Sequence, residues 1–506
     1  MRRKVVIVGG GVAGWMAAAA LARALPVPHY AVTLVETAGE DRSLGCFGPA
    51  EASLPSIRRW HSRLGIDEDE LVGTAGGSFT LGIAFSGWSR PGHAWFAPFG
   101  EIGATLGSVP FHHLAARLRA SGQRLRLADF SLAAIAAQTG RFARPAEDPS
   151  SVLSSYSYGL HLPRCGYREF LQQVALRAGA ALVPGPFSRA ELADDGRIAA
   201  VVLEDGARVE GDLFIDCSGP HASLIEGALA TGFESWRRWL PCDRAAEFLC
   251  QAGAAPVPYS HNAAQGGGWS RTVPLQGRTG EAFVYCSAFV PEEAAQAQAL
   301  GGLSGPAQSE RRSSFEPGRR RLLWNRNCIA IGAAAALLEP IHPTSLHLVH
   351  SALERLIALF PEDADAPAEA AEFNRLGIAE LERLRDFAIL PYKLNGRVGE
   401  PFWDACRAME VPDSLGYKIE LYRSRGRVPL YDGDMFEEAD WVALLDEQGV
   451  RPRRYDVMAD RVPPEYLYRH MARVRELVLK GAASLPPHGE YLRRHCPHWP
   501  AREGAT

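Results

Sequence analysis

The sequence predicts an α/β fold built on a parallel sheet, with a β-rich module and a helical C-terminal region, and three observations lead to it. The apolar run Val5-Val6-Ile7-Val8 passes directly into Gly9-Gly10-Gly11-Val12-Ala13-Gly14 and then an alanine-rich stretch, which is the order strand, tight turn, helix. Two later segments repeat the step from strand to glycine: Leu213-Phe214-Ile215-Asp216-Cys217-Ser218-Gly219 and Cys328-Ile329-Ala330-Ile331-Gly332. Beyond residue 363 the pattern becomes helical, with charged and apolar residues alternating over 375–387.

The opening turn carries the most chemistry. Glycines at 9, 11 and 14 let the backbone turn sharply, approach a pyrophosphate and pack helix against strand, while Val12 and Ala13 open the helix whose free N–H groups hold phosphates. The second apolar strand, Val32-Thr33-Leu34-Val35, ends at Glu36, 22 residues past Gly14. That spacing suits a carboxylate accepting from a ribose hydroxyl. The pattern therefore reads as a Rossmann-like dinucleotide site formed by Gly9, Gly11, Val12, Ala13, Gly14 and Glu36, to which the returns at Gly219 and Gly332 come back. Between these anchors, helices are expected near residues 112–122 and 168–178, and a polar loop near 143–155. A meander is expected over 182–213, turning at Asp194-Asp195-Gly196 and Glu204-Asp205-Gly206, with a sheet-rich segment over 241–290.

Composition narrows the partners. Over 506 residues, 47 % hydrophobic and 22 % charged, the net charge is −4, which leaves no basic footprint for nucleic acid. The apolar run at 329–338 is shorter than the roughly 20 residues a bilayer demands. Met1-Arg2-Arg3-Lys4 leads into the glycine fingerprint without a small-residue cleavage pattern, so no export signal is read and a cytoplasmic protein is expected. Nine cysteines are scattered from Cys46 to Cys496 with no CxxC pair, and His112-His113 lacks a third ligand, so no metal site is expected. A symmetric homodimer is the commonest state for such a chain. The charge run at 311–321 reads as a solvated face.

Several segments together resemble the flavin-dependent tryptophan halogenase family: the opening Gly9 to Trp15, Glu51-Ala52-Ser53-Leu54-Pro55, Pro241-Cys242-Asp243-Arg244-Ala245, Trp269 with Pro274-Leu275, Glu339-Pro340, and Arg383, Asp386 and Phe387 leading to Tyr392-Lys393-Leu394. The resemblance spans Lys4 to about Pro463. It implies a flavin monooxygenase-type fold holding FAD, reduced by a separate flavin reductase, with O2 as co-substrate. It further implies that hypohalous acid passes through a tunnel to a substrate chamber, where a lysine and a glutamate present it to an aromatic carbon. On this basis residues 1–365 form the FAD-binding module with an interleaved substrate sheet (about 60–185 and 235–325), and residues 366–506 a mainly helical substrate-side region.

The departures from the family fall on its chemistry. Thr80, in Ser78-Phe79-Thr80, stands where the lysine is expected, and His342, in Glu339-Pro340-Ile341-His342-Pro343-Thr344, where the glutamate is expected. Arg271 replaces the second tryptophan of a WxWxIP string that begins at Trp269, and Gly48-Pro49-Ala50-Glu51-Ala52-Ser53 alters a GxGEAT string. Ala50, Glu51 and Ala52 are expected beside the cofactor. A threonine cannot supply an ammonium's charge, worth about 1.5–3 kcal/mol in a hydrogen bond. Histidine, with an ordinary pKa of about 6.5, is a competent proton shuttle.

The leading expectation is therefore an FAD-dependent monooxygenase or oxidase acting on an aromatic or indole-type substrate, small or borne by a carrier or peptide. In it His342 moves a proton, Arg271 anchors a carboxylate or phosphate, and Thr80 donates a hydrogen bond. The alternatives are an atypical tryptophan or indole halogenase, with halide held at Thr344 and Ser345 near Trp269, and a non-catalytic FAD-binding partner protein. The walls of the substrate chamber are expected from residues 88–99 and 392–403.

Overall fold

A computed structural model describes residues 2–36, 48–362 and 366–496. The expected boundary at 365/366 borders undescribed residues, and Cys46 lies outside the described ones; the other eight cysteines are free thiols.

The α/β expectation holds. The opening strand Arg3–Val8 lies inside a six-stranded sheet, flanked by Tyr30–Val35 and Leu213–Asp216, with Ala181–Val183 beyond the first and Cys328–Ala330 beyond the second. These four pairings are parallel; the short edge strand Trp324–Asn325 runs antiparallel. Val5 to Val8 are almost wholly buried, as expected of a central parallel strand covered on both faces. The helix Val12–Ala24 covers one face through Trp15, Met16 and a run of alanines whose small side chains allow close approach. All three strand-to-glycine steps thus emerge from one sheet at the carboxyl ends of its strands, where such sheets bind ligands.

The meander appears as Phe187–Leu192, Ile198–Leu203 and Arg208–Glu210. A seven-stranded sheet runs Ala307–Ser314, Arg244–Gln251, Arg278–Tyr285, Gly268–Pro274, Ser260–Gln265, Gly82–Ser86 and Ala94–Pro98 in spatial order. Its last two strands come from far earlier in the chain, with Ser260–Gln265 pairing parallel to Gly82–Ser86. In a separate three-stranded sheet, Gly159–Pro163 is sandwiched by Ala50–Ala52 and Ser78–Thr80. After Leu337 every regular element among the described residues is helical, led by the long helix Pro367–Lys393. No described helix is long and apolar enough to cross a membrane.

The charge run departs from expectation. Arg312 on the edge strand faces solvent, but Arg319 and Arg320 are buried and paired with Glu234 at 2.8 Å and Glu226 at 3.1 Å. The strand Gly318–Arg320 turns inward to pair with Phe233–Ser235, and its guanidinium groups follow.

Candidate functional site

Two cavities lie back to back. The first is lined by Gly11, Val12, Ala13, Gly219 and Gly332, joined by Glu51, Arg164, Thr344 and Ser345. The structure thus brings together the opening turn and both glycine returns. Gly9 and Gly14 stay out of the cavity and build the turn: Gly9 has φ +125°, and a Cβ on it would lie 2.2 Å from the Cys217 carbonyl oxygen. A Cβ on Gly14 would lie 1.8 Å from the Gly9 carbonyl oxygen. No side chain caps the helix starting at Val12, and no acid sits in its first turn, so its N–H groups and positive end face the cavity. Glu36 stands over Gly10, where a Cβ would come within 3.1 Å of its Cγ, and lies 3.8 Å from Arg168. These features fit the pyrophosphate and ribose of FAD.

Glu51 is buried; its Oε2 accepts from Ser345 Oγ at 2.8 Å and its Oε1 lies 3.7 Å from Arg164. Ala50 and Ala52 flank it on the strand Ala50–Ala52, packed inside the fold and outside the cavity lining.

The second cavity, about 410 Å³, lies within the usual range of small-molecule sites and is lined by Leu54, Pro55, Ile83, Pro98, Phe99, His342, Pro343, Phe387, Met435 and Phe436 among others. One wall serves both cavities: Leu338, Pro340, Thr344 and Ser345 face the nucleotide side, and His342 with Pro343 faces the apolar side. The Thr344 N–H donates to the His342 carbonyl at 2.8 Å and closes a tight turn between the two sets of lining residues.

The wall is anchored by a buried polar cluster that sequence reading did not assemble. Glu339 accepts from Tyr392 Oη, from the Cys242 N–H at 3.2 Å and from Trp269 Nε1 at 3.5 Å; Trp269 Nε1 also donates to Tyr392 Oη at 2.9 Å. Burial pushes the Glu339 carboxyl up to about 7. Asn262 Nδ2 donates to the Ile341 carbonyl at 2.8 Å and ties the wall to the seven-stranded sheet. Trp269 lines neither cavity, so it touches the wall through Glu339 and Tyr392. The signal in the sequence was Glu339 beside Pro340, but its partners lie up to 97 residues away along the chain.

Thr80 lines neither cavity; its hydroxyl donates to the Gly82 carbonyl at 3.0 Å and fixes a local turn. Arg271 is buried on the strand Gly268–Pro274 and likewise lines neither cavity. It lies near His161, whose pKa falls to about 3 through burial first, then the charges of His488 and Arg271. The structure therefore does not bring Thr80 or Arg271 to the cavity that His342 faces. The expected walls also shift. Residues 97–99 line the chamber, whereas Trp88, Tyr392 and Trp403 pack against one another with ring centroids 5.3–5.9 Å apart. Their place is taken by Phe387 and the segment from Met435 to Leu444.

His342 is 5 % exposed, and its ring centroid lies 4.6 Å from Phe387, 5.6 Å from Phe436 and 5.9 Å from Phe85. Its Nε2 has no hydrogen-bond partner among the described residues. Burial lowers its pKa to about 3, well below the ordinary 6.5, so the imidazole is neutral at physiological pH.

His161 and His350 are also buried and held near 3. Because these folded values lie below 6.5, the unfolded chain binds more protons between pH 3 and 6.5. Their contribution to stability is complete above about pH 6.5 and is lost as the pH falls toward 3, at about 2 kcal/mol per histidine by pH 5. The thermal midpoint is expected to drop by at least about 5 °C between pH 7.5 and 5; an unchanged or higher midpoint at pH 5 would contradict the burial of these neutral rings.

Comparison with known proteins agrees with this geometry. The family model described as tryptophan halogenase matches residues 4–464. The structure superposes with a TM-score of 0.93 on BrvH, a flavin-dependent halogenase from Brevundimonas sp. BAL3, at 39 % identity over 98 % of this chain and 99 % of that one. It matches Xcc4156, a flavin-dependent halogenase from Xanthomonas campestris, with the same TM-score and coverage at 37 % identity. Tryptophan 6-halogenase SttH of Streptomyces toxytricini is 29 % identical over 97 % of each chain.

Proposed function

The chain belongs to the tryptophan halogenase family, and from that premise we propose that it is a flavin-dependent halogenase of an aromatic substrate, working without the lysine and glutamate the family uses. Its cofactor is FAD, reduced by a separate flavin reductase, with O2 as co-substrate. The similar proteins named above are all halogenases, which favours halogenation over the direct oxygenation or oxidase chemistry that the altered motifs suggested. The observation that carries the proposal is the shared wall: one turn, residues 340–345, separates a dinucleotide cradle from an apolar chamber.

Reduced FAD with O2, when bound, supplies the oxidising equivalents that convert halide to hypohalous acid. Gly11 to Ala13, Gly219 and Gly332 would hold it, with Glu36 at the ribose. On the other side of the wall, His342 Nε2 offers a hydrogen bond to hypohalous acid entering the chamber, and Phe387, Phe436 and Leu54 exclude bulk water. In the halogenation step the carbon–halogen bond forms and the oxygen–halogen bond breaks. The ring proton leaves with the hydroxide as water. With its pKa near 3, His342 orients by hydrogen bonding and hands on any proton at once. Thr80, engaged with Gly82, takes no part in this step.

Turnover with a flavin reductase, NADH, oxygen and indole is expected to give a brominated product whose amount follows bromide concentration. Hydroxylated product at an undiminished rate in halide-free buffer would establish direct oxygenation instead.

A further inference from the structure

Three carboxylates line the apolar chamber, Glu101 and Glu437 at the exposed side and Asp440 partly buried, and no lysine or arginine is among the described lining residues. His342, at the buried side, is neutral. One other feature of the lining could favour an anion: the positive end of the helix Glu438–Glu447. That end is already taken, because the Glu437 side chain accepts from the Asp440 N–H and the Asp440 side chain accepts from the Glu437 N–H at 2.9 Å. A free amino acid would bring its own carboxylate into this surround, with acids beside it and no cation to pair with. An ammonium group would meet charges of opposite sign.

We propose that the substrate is an indole-sized, electron-rich aromatic compound that is neutral or carries an ammonium group, and that a substrate bearing a carboxylate is refused. The ring lies against His342, Phe387 and Phe436, and any side chain points toward Glu101 and Glu437. This inference rests on the halogenase reading only for what becomes of the bound molecule; the binding preference stands on the chamber itself.

The test is calorimetric titration of the FAD-loaded protein with indole, tryptamine, indole-3-propionate and tryptophan, alongside the bromide-dependent turnover assay. Indole and tryptamine are expected to bind at least tenfold more tightly than indole-3-propionate and tryptophan. In Glu101→Lys the ratio of tryptamine to indole-3-propionate affinity is expected to fall at least tenfold. Glu101→Gln, with a smaller change in charge, is expected to move the ratio the same way by about threefold, which keeps the test open if the lysine variant folds poorly. Equal or tighter binding of the carboxylates, no binding of any of the four compounds, or a ratio unmoved in folded variants would overturn the proposal. The expected binding order without bromide-dependent product would support the preference and count against the halogenase reading alone.

Discussion

Replacing His342 with alanine is expected to lower kcat/KM for bromide-dependent turnover by about 10²-fold, with FAD content unchanged. The ring is the one imidazole lining the apolar chamber among the described residues, and its Nε2 has no protein partner there, so nothing else on this face of the wall is positioned to take over its hydrogen bond. The loss should fall mainly on kcat, because Phe387 and Phe436 remain to hold the substrate ring when the imidazole is removed. His342→Gln, which keeps an amide able to donate and accept, is expected to recover most of the rate. His342 itself should add no inflection near 6.5, so His342→Gln is expected to keep the shape of the pH profile of turnover, since the imidazole stays neutral across that range. Turnover within about threefold of the unchanged protein in His342→Ala would remove the residue from the mechanism.

Gly14→Ala carries the second large effect. A Cβ at this position meets the Gly9 carbonyl oxygen at 1.8 Å and its carbon at 3.0 Å, both backbone atoms, so no side chain can swing away to relieve the clash. Helix Val12–Ala24 would have to lift from the strand Arg3–Val8, which displaces the N–H groups facing the nucleotide cavity. The expected result is soluble yield reduced at least about tenfold, or a folded fraction whose affinity for FAD is about 10²-fold weaker. Gly301→Ala serves as a control for glycine replacement as such: like Gly14 it lies in a helix, Glu292–Gly301, but nothing lies within 4 Å of the added Cβ. Normal FAD binding by Gly14→Ala at normal yield would show that the turn does not need this close approach.

How far the fold could be read depended on how local its causes are. The opening strand, turn and helix were legible because a glycine with positive φ, an uncapped helix start and an alanine-rich buried face are consequences of adjacent residues. The returns at Gly219 and Gly332 were legible for the same reason, and the parallel sheet follows from them. The meander was legible through its two turns, each ending in a glycine with φ near +80°, but not in its ends: it runs from Phe187 to Glu210, and the expected limits at 182 and 213 belong to the six-stranded sheet. The burial of Arg319 and Arg320 was not, because it depends on Phe233–Ser235 pairing with their strand.

The site divides along the same line. Residue type and spacing alone carry the nucleotide cradle, the family resemblance, and the expectation that Thr80 and His342 stand where the resemblance puts a lysine and a glutamate. Where Thr80, Arg271 and His342 sit is a matter of long-range packing. Thr80 donates to Gly82 and Arg271 is buried near His161, neither of them lining the chamber, while His342 faces it as a neutral ring. The tertiary structure also decided that Trp269 and Tyr392 hold Glu339 under the wall and that three carboxylates surround the chamber's apolar lining. Hydrogen-bond partners, burial and the protonation that burial imposes are set by groups tens to hundreds of residues apart in the chain, and no local pattern encodes which of them will meet.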